Sequence, residues 1–82
     1  MRTAHQIEID HNYDFFQRNL FGFLQDHSGE YALLRSAAVI DFFAGPGEAY
    51  RFGLQQFADR LFSVQKVTDE PVEMGLLSVA IG

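Results

Sequence analysis

Three histidines, four serines and a late group of carboxylates are the side chains whose chemistry has to be weighed first. His11 and Asp14 stand one helical turn apart, and His5 lies close enough in sequence to join them around a metal ion. A zinc-type site needs three or four convergent N, O or S donors. Two donors on one turn and a third in a terminal segment fall short of that, so the three read as surface residues. Ser28, Ser36, Ser63 and Ser78 would each need a base within reach, and an acid to orient that base, before acting as a nucleophile. No Gly-x-Ser-x-Gly elbow is present. Asp69, Glu70 and Glu73 gather around Pro71, where they read as a solvated loop that keeps the chain soluble. No residue is therefore assigned to catalysis, to a metal or to a cofactor.

The elements that would position any such group follow from periodicity. Tyr13, Phe16, Leu20, Phe23, Leu24 and His27 recur three and four residues apart, on one face of a helix. Asn12 is the expected N-cap, Asp14 suits the first turn, and Gly29 supplies a stop, which places this helix over about Asn12 to Ser28. Tyr31 to Ser36 and Ala38 to Phe43 alternate as strands do. They adjoin at Ser36 and Ala37 and imply a hairpin, although no Asn-Gly or Asp-Gly marks its turn. Gly45-Pro46-Gly47 breaks the second strand, and Pro46 suits the first position of a second helix. Ala49, Tyr50, Gly53, Leu54, Phe57 and Leu61 share one face of that helix, where Gly53 would permit close approach to the sheet or to the first helix. A third strand over Phe62 to Val67 ends at Asp69-Glu70-Pro71, and Leu77, Val79 and Ile81 alternate again in the tail. The expected class is α+β, a two-layer sandwich in the order helix, strand, strand, helix, strand, in which the tail would either add a C-terminal edge strand or seek a partner.

Composition narrows the function classes. The chain's 82 residues suit one domain, with 1–11 as an N-terminal segment and 72–82 as an apolar tail. Nine Phe, three Tyr and a hydrophobic content of 48% supply a core. The absence of cysteine excludes disulfides and thiolate metal sites. The formal charge is −5, and Arg2, Arg18, Arg35, Arg51, Arg60 and Lys66 are scattered singly, which argues against nucleic acid and against anionic membranes. The longest apolar run, Met74 to Ile81, is far below the ~20 residues of a spanning helix. Met1 to His11 carries charges and no apolar run, unlike a secretory leader, so cytoplasmic residence is expected.

Several segments together carry a resemblance. They are Gly29-Glu30-Tyr31-Ala32-Leu33-Leu34, Val39-Ile40-Asp41-Phe42-Phe43, Glu48-Ala49-Tyr50 with Gly53 and Phe57, and Phe62-Ser63-Val64-Gln65-Lys66-Val67. In order and spacing, over about Phe15 to Pro71, the chain resembles a family of small bacterial proteins whose domain has no assigned function. It departs from that pattern in lacking a hairpin glycine and in carrying Gly45-Pro46-Gly47 before the second helix. The shared positions are nearly all apolar, Gly or Pro, so the resemblance implies a fold and no activity, cofactor or catalytic residue.

A second stretch, Ala38-Val39-Ile40-Asp41-Phe42-Phe43-Ala44-Gly45-Pro46-Gly47, is similar to the first motif of S-adenosylmethionine-dependent methyltransferases. There a strand runs into a glycine-rich turn and a helix, so the cofactor can approach the backbone closely. That resemblance implies a cofactor held by Asp41, Gly45 and Gly47. Asp69 or Glu70, at the end of a strand from Leu61 to Val67, would hold the ribose hydroxyls. Length weighs against it, because the doubly wound sheet of such enzymes needs roughly twice this chain. The strand before Asp41 also reads as the second arm of a hairpin.

Phe15 and Phe52 fall opposite the apolar stripes of their helices and suggest a contact patch. With Leu77, Val79 and Ile81 they are the candidate protein-binding residues; Phe15 could alternatively be covered by the N-terminal segment, where Ile7 and Ile9 are otherwise idle. The reading is a non-enzymatic protein-interaction module that docks to a protein partner or to a second copy of itself, leaning toward self-association. The alternative is an S-adenosylmethionine-binding, methyltransferase-like fragment using Asp41, Gly45, Gly47 and Asp69.

Overall fold

A computed structural model describes residues 2–69; the tail, with Ser78, Glu70, Glu73, Leu77, Val79 and Ile81, lies outside the described residues. The elements are α1 (Ala4–His27), β1 (Tyr31–Leu34), β2 (Val39–Phe43), α2 (Pro46–Gln56) and β3 (Ser63–Lys66). This is the α+β class in the expected order.

α1 begins two turns earlier than Asn12. Thr3 accepts from the Gln6 N–H at 3.1 Å, and the Gln6 side chain accepts from the Thr3 N–H at 3.2 Å. This reciprocal capping box satisfies two of the four amides that a helix start leaves open. Asn12 is therefore no N-cap; it sits mid-helix and is completely buried. Asp14 likewise lies well inside α1, paired with Arg18 at 2.9 Å. The stripe from Phe16 through Leu20, Phe23 and Leu24 packs on the sheet, whereas Tyr13 stays exposed. Gly29 ends the helix as expected, with a φ of +86° that favours glycine.

The sheet order is β2-β1-β3, with both pairings antiparallel. β1 is buried from Ala32 to Leu34, which alternation alone would not produce in a sheet covered on one face. Ala32 and Leu34 join Phe16, Val67, Val39 and Phe42 beneath α1. Leu33 points the opposite way. On that second face Phe62 lies against Gly53 and Tyr50, and Phe43 against Phe52. The helices thus cover opposite faces of the three-stranded sheet.

Gly53 makes the second contact close: a Cβ added there would lie 2.6 Å from the Phe62 ring. This fixes the roll of α2 about its axis. Ala49 and Gly53 are buried and Phe52 half-buried, while Tyr50 and Leu54 are exposed. The buried face is rotated from the one read in the sequence.

The hairpin turn is held from outside itself. Arg35 and Ala38 exchange backbone hydrogen bonds of 2.9 and 3.1 Å across Ser36 and Ala37, whose φ values are +53° and +57°. This is the two-residue primed turn that suits strand twist but favours Asn-Gly. Its amides are taken up by α1: Ser36 N–H donates to Glu8 Oε2 and Ala37 N–H to Asn12 Oδ1, both at 2.8 Å. Asn12 Nδ2 in turn donates to the Leu34 carbonyl at 3.2 Å and to Glu8 at 3.0 Å.

Arg35 ties the connection after α2 to the same end of the sheet. Its guanidinium makes paired bonds of 2.8 and 3.0 Å to Asp59, a 3.1 Å bond to the Leu61 carbonyl, and lies 4.4 Å from the Phe57 ring centroid. The Arg35 hydrogen bond, and then the Leu61 N–H, hold the Asp59 carboxyl down at about 2; the same partner raises Arg35. A carboxyl depressed in the folded state stabilises the fold above its ordinary range near 4 and loses that contribution as pH falls toward 2. Asp59→Asn is accordingly expected to lower the Tm at pH 6, with the gap to the unsubstituted protein closing between about pH 4 and about pH 2. A gap unchanged at pH 2 would show that the clamp does not depend on charge.

Candidate functional site

β3 is an edge strand, paired only with β1 among the described residues. Val67 turns both its peptide groups toward β1, donating to the Glu30 carbonyl and accepting from the Gly29 N–H, each at 2.8 Å. Hydrogen-bonding direction alternates along a strand, so the peptide groups of Lys66 and Val64 turn away from β1.

Along that edge runs a groove of about 820 Å³. Its floor is Phe62, Ser63, Val64 and Gln65, consecutive residues whose side chains belong to both faces of the sheet. Ile9 and Tyr13 of α1 form one wall, and Tyr50 of α2 the other. Asp10, which is paired with Arg2, stands on the first wall, and Arg60 lies at the start of the floor. Ile9, Tyr13 and Tyr50 are three of the large apolar side chains left exposed. Ser63 Oγ is buried in the groove floor with no hydrogen-bond partner among the described residues. Such a hydroxyl ordinarily finds one.

The residues singled out in the sequence lie elsewhere. Phe15 is half-buried and packs against the core and the Phe23 ring, 6.3 Å away. Phe52 is half-buried against Phe43, ring centroids 5.4 Å apart. Neither stands out on an outer face, which corrects the placement read from helical wheels. Leu77, Val79 and Ile81 lie outside the described residues.

Asp41 is exposed, and its carboxylate accepts the N–H of Phe42 at 2.7 Å. Gly45 caps α2 with extended backbone, and neither it nor Gly47 adopts a positive φ. Asp69 is exposed beyond β3, so β1 intervenes between the strands that lead to the two acids. None of these four residues lines the groove.

His5 and His11 are exposed on α1, and His5 lines the groove. No group of three His, Cys, Asp or Glu able to hold a metal occurs among the described residues. His27 stacks flat on Phe42, centroids 3.6 Å apart, with Nδ1 2.8 Å from Glu30. No hydrogen bond joins a serine hydroxyl to an imidazole among the described residues.

No helix of the described residues is long and apolar enough to cross a membrane. No family model, curated protein or solved structure matches the chain.

Proposed function

We propose that this domain is a non-enzymatic protein-interaction module that binds by adding an extended, uncharged apolar segment of a partner protein to the edge of β3 that is unpaired among the described residues. The observation that carries this reading is the coincidence of outward peptide groups on β3 with apolar walls on both sides of it. Strand addition draws affinity from main-chain hydrogen bonds and specificity from alternate side-chain pockets. Here Ile9 and Tyr13 would receive the side chains on one face, and Tyr50 and Phe62 those on the other.

Titration with an alternating Val–Thr decapeptide tests it, followed through backbone amide NMR. Shifts are expected at Ser63 to Lys66, Ile9 and Tyr13, and Val64→Pro should abolish them. Proline at that position removes an outward donor and no bond to β1, so the sheet should survive. S-adenosylmethionine, titrated alongside, should shift nothing. Saturable shifts from it over Asp41 to Gly47, or peptide shifts with no focus on β3, would overturn the reading.

A further inference from the structure

The groove carries an unpaired positive charge at one end, which selects the part of a partner chain that it takes, on the footing that β3 is a strand-docking edge. We infer that the docked segment is the C-terminal end of a partner protein, laid antiparallel to β3 with its terminal carboxylate beside Arg60.

The packing of α1 defines that end. Asn12 donates to the Leu34 carbonyl, and Leu34 pairs with Ser63, so the first half of α1 lies at the start of β3. Gly29, just past the helix, donates to the Val67 carbonyl at the far end. Two charged side chains line the groove with His5, and Asp10 is already paired with Arg2. The Arg60 guanidinium has neither an ion pair nor a hydrogen bond among the described residues. His5 stands in the first turn of α1, where the helix dipole is positive. Ser63 Oγ, three residues along the floor from Arg60, is the buried hydroxyl without a partner.

An anion is what this end lacks. A guanidinium holds a carboxylate through paired, charge-assisted N–H···O bonds. The Ser63 hydroxyl, turned to a neighbouring rotamer, can donate another. Strand direction decides which group of the partner arrives there. Antiparallel addition, the slightly more stable kind, brings the C-terminal side of the added segment to the start of β3. Parallel addition would bring the N-terminal side, whose ammonium Arg60 repels. β3 begins at Ser63, and the chain before it turns through Arg60 at a φ of +60°, so the edge offers nothing to a segment that continues. A terminal carboxylate also needs no charged side chain, which leaves the body of the segment apolar for Ile9, Tyr13, Tyr50 and Phe62.

N-acetylated Val–Thr decapeptides, made as the free acid and as the C-terminal amide, test this on the unsubstituted full-length chain. Their Kd values are read from the amide NMR shifts of Ser63 to Lys66. At neutral pH and low salt the acid should bind at least about fivefold more tightly, the scale of one exposed charge-assisted contact. Arg60→Gly should erase that preference without lowering the Tm, because glycine adopts a positive φ freely. A paramagnetic label on the N-terminal end of the acid should broaden Lys66 and Val67 and spare Arg60. A smaller preference for the acid would overturn the carboxylate assignment while leaving strand docking intact. So would a preference that persists in Arg60→Gly, or an amide ending in Asp that binds as tightly as the acid. Broadening centred on Arg60 would overturn the antiparallel placement. Failure of both the acid and the amide to bind would instead sink the docking reading itself.

Discussion

Asn12→Ala is expected to destabilise the protein by about 2–4 kcal/mol, an unusual loss for a polar residue in the middle of a helix. The amide is completely buried and connects three parts of the chain: the Leu34 carbonyl, the Ala37 N–H and the Glu8 carboxylate. Truncation leaves the first two without this partner, and each group so abandoned costs about 1–3 kcal/mol. It also frees a turn whose two central residues adopt a left-handed conformation without being glycine. That second effect can be measured separately. Ala37→Gly should stabilise the unaltered protein by up to about 1 kcal/mol, because glycine adopts this conformation without the Cβ clash. It should also recover part of the Asn12→Ala loss. Urea unfolding of the two single variants and the double variant checks both statements. A loss below about 0.5 kcal/mol for Asn12→Ala would show that water replaces the amide at no cost.

Phe62→Ala should cost about 3–5 kcal/mol, the range for emptying a buried aromatic site. Phe62 is 5% exposed and touches the rings of Tyr50 and Phe57 at centroid distances of 5.4 and 6.2 Å. Its sharper test is the residue beneath it. Gly53→Ala would ordinarily strengthen a helix by about 1 kcal/mol. Here the added methyl meets the Phe62 ring at 2.6 Å, and overpacking of that kind costs about 1–3 kcal/mol. Gly53→Ala is therefore expected to destabilise when Phe62 is present, and to become neutral or favourable in a Phe62→Leu background. A double-mutant cycle measures this coupling. Independent, additive effects would show that α2 does not rest on Phe62.

The element order was legible because hydrophobic spacing is local, and the stripe of Phe16, Leu20, Phe23 and Leu24 names a helix wherever it sits. The start of α1 was legible too, in Thr3 and Gln6, but Asn12 resembled a cap more strongly. Its actual partners lie at Leu34 and Ala37, beyond the reach of any local rule. The hairpin turn was located correctly while its cause stayed hidden, since Glu8 and Asn12 do what Asn-Gly would otherwise do. The buried face of α2 was misread for a related reason. Tyr50 and Leu54 are the larger apolar residues, yet the contact between Gly53 and Phe62 turns Phe52 inward and leaves those two outside. The groove carries no local pattern at all. It arises where the first turns of α1 pass the edge of β3, and only the extension of α1 before Asn12 brings Ile9 there beside Tyr13.

The central position of β1 also orders the closing of the chain. β1 meets β2 across the two-residue turn, but meets β3 only after the chain has passed through α2 and returned on the far side. The two outer strands therefore run parallel, with an older neighbour already seated between them. Closing the longer loop, from Leu34 to Ser63, costs roughly 2 kcal/mol more in chain entropy than closing the hairpin. The Arg35 clamp onto Asp59 and Leu61 spans that same loop and offsets part of its cost. β3 therefore reaches its place beside β1 at the greater entropic cost of the two pairings, and whatever forms along its outer edge depends on that closure.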